Sequence, residues 1–261
     1  MPPNDKLTTT NNGGLASPGL AAGKKPGIPG LHNRVNVAAQ AAAQPGVDPT
    51  TLPNRIGLML DCSGSMGNAT DYNHGTPKIE LLRSAFDSFV AGCDLSNTAV
   101  AVECFPPYDE YDGDSRKNER CSLALTTKHI YLSTFSLFFE PRGCTPMAQA
   151  MQRMIERQPI TRGILISDGE ADSPHGAREQ AAIYKEASIP VDCIHIGTDV
   201  GGEELLRDIA TRTGGIYMKF TDVAAFARSF HFLTPGGRGL LLSGQVGATQ
   251  LGATSVEVAK P

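Results

Sequence analysis

Between Arg55 and residue 232 the chain alternates between two hydrophobic periodicities, and this alternation constrains the fold more than any other feature. RIGLMLD (55–61), TAVAVECF (98–105), RGILISD (162–168), PVDCIHIG (190–197) and IYMKF (216–220) are short, nearly continuous apolar runs. Runs of that length suit strands buried on both faces. Between them, apolar residues recur at spacings of three and four. Ile79, Leu82, Phe86 and Phe89 form one helical stripe, and Met147, Ala150, Met151, Met154 and Ile155 form another. The methionines read as core packing. Further helices are expected over 175–188, over EELLRDIATRTGG, which Gly214-Gly215 stops, and over VAAFARSFHFL, which Pro235 ends. Of CSLALTT and HIYLSTF, one reads as a strand next to a tight turn. Strands alternating with helices predict an α/β fold: a doubly wound, mostly parallel sheet flanked by helices, with one antiparallel edge strand.

The ends read differently. Residues 1–54 carry eight prolines among Gly, Ala, Asn and Thr and few large apolar residues. Such a segment buries too little surface to offset its ordering entropy, and a disordered arm is expected. The folded domain is assigned to 55–235, and 236–261 to an irregular tail. The polar stretch from Pro106 to Arg120 reads as an exposed loop. The formal net charge is −4 and Trp is absent, which gives no support for nucleic-acid or anionic-membrane binding. The first thirty residues lack a signal-peptide pattern, and no apolar run is long enough to span a bilayer, so a cytoplasmic location is expected. Six single cysteines without C-x-x-C spacing read as reduced structural thiols. The Asn68-Ala69-Thr70 sequon is expected to stay unmodified.

In a doubly wound sheet, ligands bind beyond the carboxyl ends of the strands, where the strand order reverses. Three polar clusters fall near that edge. Asp61-Cys62-Ser63-Gly64-Ser65 follows the first strand, Gly143-Cys144-Thr145-Pro146 opens a helix, and Asp168-Gly169-Glu170 follows GILIS. Taken singly, each is an ordinary cap or turn. Their order and strand context make them a constellation. Five oxygen-bearing side chains (Asp61, Ser63, Ser65, Thr145 and Asp168) with no His or thiolate suit a hard cation, Mg²⁺ or Mn²⁺.

With these motifs the chain resembles the von Willebrand factor A family, whose metal-ion-dependent adhesion site is written D-x-S-x-S, then T, then D. The resemblance runs over 55–232, and DCSGSM, ISDGEAD and IHIGTDVGGEELLRDIATRTGG look most like bacterial, intracellular members. It implies that Ser63 and Ser65 bind the metal directly and that Thr145 binds directly or through water. It implies also that Asp61 and Asp168 act mainly through water. The function expected from it is a protein-interaction module that grips a partner's Asp or Glu carboxylate. An AAA+ ATPase or a stress-response or phosphosignalling component is the kind of partner implied.

Two alternatives come from other classes. An assembly subunit would keep the site permanently occupied by a neighbouring chain. A magnesium-dependent phosphatase would use Asp61 as nucleophile, but the haloacid dehalogenase-like pattern needs a second Asp two residues on, where this chain has Ser63. No enzyme is expected. Secondary candidates near the site are Glu170, Asp172, His74 and Asp199, and the acidic loop Asp109, Glu110, Asp112 and Asp114 is a second possible cation site. For each of these, a solvated turn or loop is the simpler reading. His195 reads as a core histidine.

Overall fold

The computed structural model describes residues 47–69, 75–106, 122–169, 171–221, 225–226 and 229–259. The strands are β1 (Asn54–Asp61), β2 (Thr98–Phe105), β3 (Ser122–Thr126), β4 (Arg162–Ser167), β5 (Val191–Ile196), β6 (Ile216–Phe220) and β7 (Ser255–Val258). They form one sheet in the order β3-β2-β1-β4-β5-β6-β7. β2, β1, β4, β5 and β6 are mutually parallel. The central strands are buried on both faces, which explains their continuous apolar runs.

Helices α1 (Lys78–Gly92), α2 (His129–Phe135), α3 (Met147–Arg157), α4 (Pro174–Glu186), α5 (Val200–Thr213), α6 (Pro235–Leu242) and α7 (Ala248–Leu251) cover the sheet. Side chains alternate along β1, so its two faces feed two cores. Ile56, Leu58 and Leu60 join Ile79, Leu82, Phe86 and Phe89 of α1 on one side. Met59 joins Met147, Met151 and Met154 of α3 and Leu205, Leu206 and Ile209 of α5 on the other. Each such fully buried large side chain contributes about 1.5–3 kcal/mol relative to exposure.

Of CSLALTT and HIYLSTF, the first supplies the expected strand, β3. HIYLSTF is the helical one of the pair: Leu132 and Phe135, three residues apart, both turn into the α1 core, where Phe135 meets Phe86 and Phe139. Two features differ from the sequence expectation. β3 is the expected antiparallel edge, but β7 is a second one, paired antiparallel to β6. The segment from 236, expected to be irregular, instead forms α6, α7 and β7 and anchors on the core through Leu241 and Leu251. Of the expected last helix, the described part comprises helical residues 225, 226 and 229 followed by a 3-10 turn, Phe230–Leu233. Among the described residues no helix is long and apolar enough to cross a membrane. The arm expected over 1–54 and the loop over 106–120 lie largely outside the described residues.

Candidate metal site

β1 and β4 are neighbours, with Leu60 beside Ile166, while the chain continues outward to β2 on one side and β5 on the other. This is where the strand order reverses, and the loops leaving the two carboxyl ends must diverge and open a crevice. Asp61 ends β1, Ser167 ends β4, and Asp168 follows.

Asp61 is fully buried. Its Oδ1 accepts the Ser63 N–H at 2.8 Å and its Oδ2 accepts the Ser167 hydroxyl at 2.5 Å. Burial, and then the charge of Asp168, push its carboxyl up to about 6, against the lowering effect of those hydrogen bonds. The Ser63 hydroxyl lies 3.0 Å from that of Ser65, and Ser65 donates to Asp168 Oδ1 at 2.8 Å. The other oxygen of Asp168 forms an ion pair with Lys78 Nζ.

Backbone bonds lace the contributing loops together. Gly64 N–H donates to Gly143 O at 3.1 Å, and Arg142 N–H to Cys62 O at 2.8 Å. Gly143 holds φ at +59°, a left-handed conformation open to glycine, as it presents that carbonyl. Thr145 N–H donates to Asp172 Oδ1 at 3.0 Å, and Asp172 N–H returns to Thr145 O at 3.1 Å. The structure thus brings Ser63, Ser65 and Asp168 into one hydrogen-bonded chain with Asp61 behind Ser63. It holds the Thr145 backbone on the adjoining loop.

These residues fit a hard divalent cation. The donors are hydroxyl and carboxylate oxygens, and no described cation forms an ion pair with the buried Asp61. Among the described residues no group of three or more His, Cys, Asp or Glu side chains could hold a metal, so hydroxyl oxygens would have to contribute to any set here.

No protein-family profile and no curated protein matches the chain. Solved structures do. The vWF domain of the type V pili tip protein Mfa5 from Porphyromonas gingivalis superposes with a TM-score of 0.52 at 12% identity, over 76% of this chain and 98% of that one. The fold is that of a von Willebrand A domain. The pilus adhesin SpaC from Lactobacillus rhamnosus GG is also similar, with a TM-score of 0.54 at 13% identity over 73% of this chain. So is proximal thread matrix protein 1 from the mussel byssus, with a TM-score of 0.51 at 13% identity over 69%. This chain spans 46% of the mussel protein's length and 31% of the adhesin's. The mussel protein has also been solved with zinc occupying its adhesion-site motif.

Within this A-type fold, two residues at the site escaped the sequence reading. In the sequence Ser167 lies inside the strand run 162–168, and Lys78 directly precedes the helical stripe that begins at Ile79. For Lys78 a signal existed: it is the first residue of α1, where a cation opposes the helix dipole and calls for an external partner. Asp172, exposed as expected of a turn, ties down Thr145. Asp199 caps α5, accepting Gly202 N–H at 2.5 Å. A Cβ at Gly202 would lie 2.7 Å from the Gly169 backbone, so glycine there lets α5 close on the Asp168 loop. His195 is fully buried, as expected of a core histidine. The described cysteines form no disulfide, and Cys62, Cys104 and Cys193 are buried. Glu170, His74, Asp109, Glu110, Asp112, Asp114 and Cys121 lie outside the described residues.

Proposed function

We propose that this chain is a non-catalytic interaction module that holds Mg²⁺ or Mn²⁺ at Asp61, Ser63, Ser65, Thr145 and Asp168 and uses it to bind a carboxylate of a protein partner. The observation that carries this reading is Asp61, a fully buried carboxylate without an ion-pair partner among the described residues. It stands behind a hydroxyl–carboxylate chain at the strand-order reversal. When bound, the ion would supply concentrated positive charge with room for an anionic oxygen.

The chain's own residues set the preference for an anion. Ser63, Ser65 and Thr145 offer neutral oxygens that leave the ion's charge largely uncancelled. Asp61 is fixed by Ser63 N–H and Ser167, so it orients the Ser63 turn. Asp168 orients the Ser65 hydroxyl. Lys78 adds a further positive charge at the rim, which favours an Asp or Glu side chain arriving from outside. The resemblance to bacterial intracellular A-type proteins suggests an AAA+ ATPase or a stress or phosphosignalling component as the partner, in a cytoplasmic setting. Ser63 stands where a phosphatase of the haloacid dehalogenase-like kind would need its acid, which supports a role without hydrolysis.

Calorimetric titration with Mg²⁺, Mn²⁺ and Zn²⁺ tests the site. Saturable 1:1 binding is expected for the wild type and its loss for Ser63→Ala. Partners retained from cell extract in magnesium are expected to be lost both in EDTA and with Ser63→Ala. Equal retention in all three conditions would overturn the proposal, and release of phosphate from aryl phosphates would refute its non-catalytic part.

A further inference from the structure

The adhesion-site pattern contains no cation of the protein's own, yet one sits in this site. Lys78 opens α1, and its ammonium reaches across 90 residues of sequence to Asp168. The entry to α1 is pinned: Lys78 N–H donates to Asn68 O at 3.2 Å, and Ala69 bridges to Pro77. Its own helix supplies no counter-charge, because Glu80, the acid of the first turn, pairs with Arg83. Asp168 is almost fully buried, with 1% of its side chain exposed, so its negative charge requires a close counter-ion. Lys78 takes one of its oxygens and the Ser65 hydroxyl takes the other. Each carboxylate oxygen of Asp168 therefore already has a partner, and one of them is a full positive charge.

We propose that Lys78 is a tethered cation that closes this site in the metal-free protein, and that metal loading is an exchange in which the ammonium must leave Asp168. This rests on the metal-site reading above and adds to it a control on occupancy. The backbone tether keeps the ammonium beside Asp168 at high effective concentration, so it competes at every concentration of free metal. Two cations beside one buried carboxylate repel each other, so the ammonium raises the concentration of divalent ion needed to fill the site. Once displaced, Lys78 stays anchored at the rim and leaves the loaded site one charge more positive toward an incoming carboxylate.

The test is metal binding itself, measured by calorimetry with Mg²⁺ and Mn²⁺ on the full chain, together with thermal melts in EDTA. Lys78→Met should bind metal about tenfold or more tightly than wild type, with Lys78→Arg remaining close to wild type. In EDTA, Lys78→Met should melt below wild type, and saturating metal should raise its melting temperature by the larger increment. Lys78→Gln repeats the measurement with a polar side chain in case the apolar one perturbs the loop. Binding by the variants where the wild type shows none would also support the exchange. Unchanged or weaker metal binding in both Lys78→Met and Lys78→Gln, with the wild type binding normally, would overturn it. Binding by none of the proteins would overturn the metal reading of the site, and the exchange with it.

Discussion

Asp61 is the residue at which the proposed function and stability pull apart. A buried carboxylate without a paired cation costs several kcal/mol to hold, and hydrogen bonds return only part of that. Its bonds to Ser63 N–H and Ser167 accept an isosteric amide: the Asn oxygen can take the Ser63 N–H while its amino group donates to the Ser167 hydroxyl. Asp61→Asn should therefore stabilise the metal-free protein by about 1–2 kcal/mol while removing the stability gained from metal. Urea unfolding in EDTA and in magnesium checks both parts, and a variant weaker than wild type in EDTA would show that the charge is already compensated. The spacing of Asp61, Ser63 and Ser65 was legible because it belongs to one loop. Ser167 and Lys78 were not, because their partners lie 106 and 90 residues away, and strand-like or helical patterns carry no record of such distances.

At the scale of elements, the legible parts were those whose burial is written into a local period. β1, β2, β4, β5 and β6 are continuous apolar runs, and α1 and α3 carry unbroken stripes. The C-terminal elements have no such period. α6 reads PGGRGLLL, a poor helix former, and its stability comes from tertiary contacts: Leu241 enters the core and Arg238 reaches Asp192. β7 is only SVEV, and its pairing with β6 is reinforced by Arg207, which binds Glu257 and lies over the Tyr217 ring. Leu251 is the anchor between them, 2% exposed and packed against a cavity lined by Ile194, Met218 and Phe220. Leu251→Ala should cost about 2–4 kcal/mol, with increased hydrogen exchange in β6 and β7. Exchange unchanged in both strands would mean that this segment does not brace the sheet.

Across the whole molecule, two fully buried aspartates at opposite ends of the sheet are treated in opposite ways. At the amino end, Asp192 accepts from Arg162, Arg238 and the Ile216 N–H, while Arg162 also donates to Leu233 O, so the carboxylate knots four segments and is fully answered. At the carboxyl end, Asp61 has hydrogen bonds but no ion-pair partner among the described residues, and under the proposed function that contrast separates a structural acid from a metal-binding one. His195 lies near the same upper edge, beside Ser167 in β5, fully buried and with both ring nitrogens lacking a partner among the described residues. The charged groups acting on it are Lys219 from β6, Glu203 and Asp199 from α5 and its cap, and Asp168 from the end of β4. Burial first, and then Lys219, hold its pKa below the ordinary 6.5, and the three acids only partly offset them. The unfolded chain therefore takes up a proton at His195 before the folded one does. The stability that the neutral ring allows is fully present above pH 6.5 and is lost as the pH falls below it, at no more than about 1.4 kcal/mol per pH unit. Denaturant titrations in EDTA between pH 7.5 and 5.5 should therefore show the wild type losing more stability on acidification than His195→Gln, which has no proton to gain. A stability difference between the two proteins that stays constant across that range would mean that His195 protonates equally in both states, and that its burial leaves room for the charge.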